Sequence, residues 1–175
     1  AYAVQVRDAD NITIQNCNIN FTGNTAIYGP WWGSSPNCKI TNNSISNSNN
    51  NAITLYGDHT HVYISGNNIK NTGIIVGMGE SGDGTYKGIY SSGDNGTIQY
   101  NSLENTGYVG IDFNGNNTVV AYNFVNNFNL VKNDGGGIYT YVGSSTPSYG
   151  QKITNNIVIN GIGYGSGIPD NEIHA

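Results

Sequence analysis

The chain has 175 residues and a formal charge of −5, with only 10% of its residues charged, 25 Gly, 13 Tyr and 30 Asn. So few Ala, Glu, Lys and Leu exclude a coiled coil or helical bundle, and the regular return of Ile, Val and Tyr excludes charge-driven disorder. Six basic residues leave no footprint for nucleic acid. The acidic balance draws nothing toward an anionic membrane, and no apolar run approaches the ~18 residues of a transmembrane helix.

Taken in chain order, six units repeat one pattern. The first has Ala3-Val4, then Ile14, Cys17, Ile19 and Phe21. The second has Ala26-Ile27, then Ile40, Asn43, Ile45 and Asn47; the third has Ala52-Ile53, then Ile64, Asn67, Ile69 and Asn71. The fourth has Gly88-Ile89, then Ile98, Asn101, Leu103 and Asn105. The fifth has Gly110-Ile111, then Val120, Asn123, Val125 and Asn127, and the sixth has Gly137-Ile138, then Ile153, Asn156, Val158 and Asn160. Each unit predicts three short strands. Such a unit cannot bury its apolar face alone, so the units must stack in parallel, each strand about 4.8 Å from its copy above and below. The Asn column at Asn43, Asn67, Asn101, Asn123 and Asn156 is expected at bends, where Asn tolerates a left-handed backbone and its amide can bond the same group one coil up. Cys17 takes that place in the first unit and is expected as a buried, reduced thiol. Cys38 stands elsewhere in its coil, so the two are not expected to pair.

These in-phase columns resemble a right-handed parallel β-helix of the pectate-lyase-like superfamily, across all six units. Residues 71–143 are similar to secreted β-helix repeat proteins of polysaccharide-degrading bacteria, and Asp134-Gly135-Gly136-Gly137-Ile138-Tyr139 resembles a motif of β-helix glycoside hydrolases. The resemblance implies a single all-β domain over residues 1–175, a solenoid of about six coils, secreted or held at the cell surface, with a polysaccharide as its partner. Neither end reads as capped. The chain is therefore expected to be a segment of a longer solenoid, joined to further coils or domains of its parent.

The interior of such a solenoid is filled, so a site must lie on an outer face or in the insertions. Alternation along the first strand of each unit points Gln5, Tyr28, Thr54, Tyr90, Asp112 and Tyr139 outward, and two residues on, Arg7, Pro30, Tyr56, Ser92, Asn114 and Tyr141. Two residues before the aliphatic, the same rule lists Tyr2, Thr25, Asn51, Lys87, Val109 and Gly136. One face thus carries Tyr28, Tyr56, Tyr90, Tyr139 and Tyr141 around Asp112 and Asn114. Flat rings with polar tips suit a sugar chain, and they also suit a plain strand surface. Three insertions flank the face: residues 29–37 with Trp31 and Trp32, at least one of them expected at the surface; residues 76–86 with Glu80 and Asp83; and residues 143–151.

Hydrolysis of a glycosidic bond needs two carboxyl groups. Asp112 and Asp134 are the leading candidates, with Glu80 and Asp83 beside them; along the strand path the leading pair is on the order of 15 Å apart, shortened by the bend at Gly135-Gly136. In its Asn-Asp-Gly-Gly setting Asp134 has a rival role, bonding its own turn. Elimination from a uronate needs a base and a cation instead: Lys87 for the first, Arg7 or Lys132 for the second. No cofactor or metal is expected, with a bound Ca²⁺ at Glu80, Asp83 and Asp112, or at Asp8 and Asp10, as the one alternative. His59 and His61 read as a solvated loop edge. Two functions stay open: a carbohydrate-active enzyme, hydrolase ahead of lyase, and a non-catalytic segment of an adhesin or carbohydrate-binding surface.

Overall fold

The computed structural model describes residues 1–82, 84–143 and 147–163. Each coil contributes three short strands: β1 (Val4–Gln5), β2 (Thr13–Gln15) and β3 (Asn18–Asn20) in the first, through to β16 (Ile138–Tyr139), β17 (Lys152–Thr154) and β18 (Ile157–Gly161) in the sixth. Like strands of successive coils pair in parallel, giving three six-stranded sheets. Over the described residues the protein is an all-β parallel β-helix of six coils.

The register is the one the repeat dictates. Val4, Ile27, Ile53, Ile89, Ile111 and Ile138 lie over one another in the first sheet. Ile14 to Ile153 do so in the second and Ile19 to Val158 in the third. Apolar stacks from all three sheets meet on the axis with Leu55 and Phe113, which are fully buried. Each such side chain contributes about 1.5–3 kcal/mol by leaving water.

The interior asparagines bond in series. Asn67 Nδ2 donates to Asn101 Oδ1 at 2.9 Å and to the Ile40 carbonyl at 2.8 Å, while its backbone N–H also donates to Asn101 Oδ1 at 3.0 Å. Asn43, Asn101 and Asn123 repeat the arrangement. These asparagines do not take the left-handed backbone expected of them. It falls one residue earlier, at Asn16, Asn42, Gly66, Tyr100, Tyr122 and Asn155, and again at Phe21, Asn47, Asn71, Asn105, Asn127 and Asn160. The chain turns at those residues, and the turn aims the next amide inward. Cys17 and Cys38 are both free thiols. Cys17 is exposed rather than buried, and it is Cys38 that is enclosed.

Asn101→Ala orphans two buried donors on Asn67 at once. Each unsatisfied group costs about 1–3 kcal/mol, so urea unfolding is expected to show a loss of at least about 2 kcal/mol. The exposed Asn18→Ala is expected to stay within about 0.5 kcal/mol.

Candidate active site

The first sheet carries the site on its outer surface. Register sets Tyr28, Thr54, Tyr90, Asp112 and Tyr139 in one column, so Asp112 has a tyrosine above and below it. Lys87 Nζ reaches over from the preceding coil and donates to Asp112 Oδ2 at 2.5 Å. Asp112 is 4% exposed and Lys87 6%, so the open, outward carboxylate expected from alternation is corrected to an enclosed one. Thr25, Asn51, Lys87 and Val109 are likewise enclosed rather than open to water. Strand geometry begins only at the following aliphatic, so alternation does not apply to residues still leaving the preceding turn.

Burial pushes the Asp112 carboxyl above its ordinary range, against the downward pull of the Lys87 ammonium and its hydrogen bond. Asp112 Oδ1 is buried without a hydrogen-bond partner. The Lys87 ammonium also lies 4.9 Å from the centre of the Tyr90 ring, a cation–π contact.

Asp134 arrives from the loop before β16 and is exposed. Its Oδ1 accepts from the Tyr108 hydroxyl at 2.6 Å, so it is held from the preceding coil. Gly135 lets the loop close on that ring: a Cβ there would stand 2.5 Å from Tyr108 Cε2. Asn129 Nδ2 fixes the same turn by donating to the Gly135 carbonyl at 2.8 Å.

Gly84, Lys87, Tyr90, Tyr108, Asp112, Asn114, Asp134, Tyr139 and Tyr141 line one cleft of about 360 Å³. Seven of the expected site residues are therefore brought together. Asn114 orders its rim, donating to the Tyr90 hydroxyl at 3.4 Å and accepting from the Tyr141 backbone N–H at 3.1 Å. Tyr108 was not singled out in the sequence. Its signal is a column three residues before the aliphatic, where Tyr86 and Tyr108 precede Ile89 and Ile111.

The remaining expected aromatics lead up to the cleft. Trp31 and Trp32 are both exposed and meet edge to face at 5.4 Å. Trp32 lies 6.4 Å from Tyr28, Tyr28 is 6.3 Å from Tyr56, and Tyr56 is 5.2 Å from Tyr90, all between ring centres. Tyr2 stacks on Tyr28 at 4.2 Å. Burial, with Tyr2 and Tyr56 beside it, pushes the Tyr28 hydroxyl up to about 12, and burial raises Tyr56 as well.

Other expected groups lie elsewhere. Glu80 accepts from Asn24 at 2.5 Å and from Asn50 at 3.4 Å, tying its loop to the earlier coils, and is absent from the cleft lining. Asp83 lies outside the described residues. Arg7 pairs with Asp8 at 3.4 Å on the surface. Lys132 is buried, donates to the Gly82 carbonyl and Thr85 Oγ1 at 2.6 Å each, and sits over the Tyr86 and Tyr108 rings. Neither is presented to the cleft as the cation that elimination was expected to use. Among the described residues, no three His, Cys, Asp or Glu gather to hold a metal ion. His59 is fully buried rather than solvated, its ring nitrogens facing the Tyr56 and Val6 carbonyls, while His61 is exposed.

The chemistry of the cleft follows from contrast. One carboxyl is enclosed and shifted toward its protonated form; the other is open to water. Two carboxyls whose surroundings separate them in this way can divide acid and base roles between them.

The family model described as the right-handed beta helix region matches residues 2–174. No curated protein and no solved structure matches the chain.

Proposed function

The chain belongs to the right-handed β-helix family, and from the cleft this solenoid carries we propose that it cleaves a polysaccharide by hydrolysis, outside the cell or at its surface. The observation that supports this is the pairing, in one cleft, of an enclosed Asp112 with an exposed Asp134. Lys87 occupies Oδ2 of Asp112, which leaves Oδ1 to carry the proton. Asp112 then protonates the leaving glycosidic oxygen, and Asp134, as a carboxylate, serves the attacking side of the bond. The rings from Trp31 to Tyr90 hold the chain by stacking on its apolar faces, and Asn114, Tyr139 and Tyr141 bond its hydroxyls. Hydrolysis is favoured over elimination because the Lys87 ammonium is spent on Asp112 and Tyr90, so it is not a free base.

The test is incubation of the protein with a panel of plant and algal polysaccharides. Reducing ends are expected to accumulate without the absorbance of unsaturated sugars. Absorbance would move the assignment to a lyase. Binding with neither product would leave a carbohydrate-binding segment of a surface protein and remove the enzyme reading.

A further inference from the structure

At the bend leaving the second sheet, four of the six coils place Asn or Gly in the left-handed backbone: Asn16, Asn42, Gly66 and Asn155, with φ of 54°, 55°, 68° and 56°. The fourth and fifth coils place Tyr100 and Tyr122 there, at 54° and 56°. A bulky side chain is an outlier in that region, where Asn and Gly cost the backbone far less. The two rings are parallel within 10°, with centres 5.1 Å apart, and they stay 57% and 49% exposed. At that exposure each ring keeps part of its surface open to water. One exposed stack of this kind does not repay two strained bends. Strain kept at the surface points to binding.

The neighbourhood supplies a polar border. Gln99, next to Tyr100, donates from Nε2 to the Tyr63 hydroxyl at 2.7 Å, and Tyr63 is itself at the surface. Two exposed parallel rings carrying hydroxyls, with an amide on the residue next to Tyr100, match a pyranose ring, which is apolar on its faces and hydroxylated at its edges. A phosphate or acidic peptide finds no cation among the column's own residues, which are Asn, Gly and Tyr. The pair lies at the bend between the second and third sheets, whereas the cleft is on the first.

We propose that Tyr100 and Tyr122 form a second polysaccharide-binding platform, which holds a remote stretch of the polymer while the cleft works. The choice of a glycan as occupant rests on the reading of the cleft.

The test is mobility in native gels cast with xylan, polygalacturonate, alginate or carboxymethyl-cellulose. The double variant Tyr100→Asn/Tyr122→Asn installs the residue that three of the other four coils carry at this bend, so it keeps the fold, and its melting temperature is expected to equal or exceed the parent's. The parent is expected to be retarded in at least one gel. The double variant is expected to bind about tenfold more weakly in that gel, while cleaving short soluble oligosaccharides at the parent rate. Equal retardation of the two proteins overturns the proposal. So does free migration of the parent in all four gels, or a parent dimer that the double variant abolishes, since a second copy would then cover the pair. Retardation by the platform without cleavage of any polymer or oligomer sinks the cleft reading alone.

Discussion

Asp112→Asn is expected to lower polysaccharide cleavage by about 10²–10⁴-fold, the span that a positioned proton donor contributes. The amide keeps the carboxylate's shape, and its oxygen can still accept from Lys87, so the fold should survive. What it loses is the proton that the proposed reaction assigns to the partnerless Oδ1. Substrate binding on the aromatic track should persist, so kcat falls while KM changes little. An Asp112→Asn protein that cleaves at the parent rate, or one that loses binding in step with turnover, would remove Asp112 from the chemistry.

Lys87→Met is expected to cost about 3–5 kcal/mol of stability at any pH where Asp112 is ionised, because it leaves that carboxylate enclosed with no counter-ion. The pH dependence has a definite sign. The Asp112 carboxyl already titrates above its ordinary range in the folded protein, and burial is the cause. The folded state therefore holds this proton more tightly than the unfolded one. Stability is undiminished below the unfolded value and is lost as pH rises through the folded one. Removing Lys87 takes away the downward pull and widens that window. Urea unfolding at pH 4 and pH 7 should show a deficit in Lys87→Met that is much smaller at the lower pH. Lys87→Met/Asp112→Leu should recover most of the loss, since two apolar groups of similar size can replace a buried pair. A deficit of equal size at both pH values would mean that Lys87 acts by packing alone.

The solenoid could be read in the sequence because its determinants recur. Ile64, Ile98 and Val120 keep phase across insertions of different length, and only coil-on-coil stacking uses such a pattern. The tyrosine face was legible for the same reason, strand alternation being local. What alternation cannot supply is the height of a residue's neighbours. Asp112 was placed outward correctly, but its enclosure comes from Tyr90 and Tyr139 in adjacent coils and from Lys87 reaching across one. Tyr108 was overlooked because it precedes its strand, where no two-residue period operates. His59 was misjudged for a related reason: its ring is buried against carbonyls of Tyr56 and Val6, the second of them 53 residues away. Sequence spacing does not reveal such a contact.

Strict parallel register also gives the aromatic track a unit of length. Its rings enter at fixed levels of the stack, so a polymer lying along it is gauged in steps of about 4.8 Å, the distance between adjacent strands. Such a ruler changes only by whole graduations. Excising one turn, or splicing one in, would shorten or lengthen the grip on the chain by one step and leave the reacting end untouched. On the proposed function, preference for oligomer size would then change by whole coils rather than continuously.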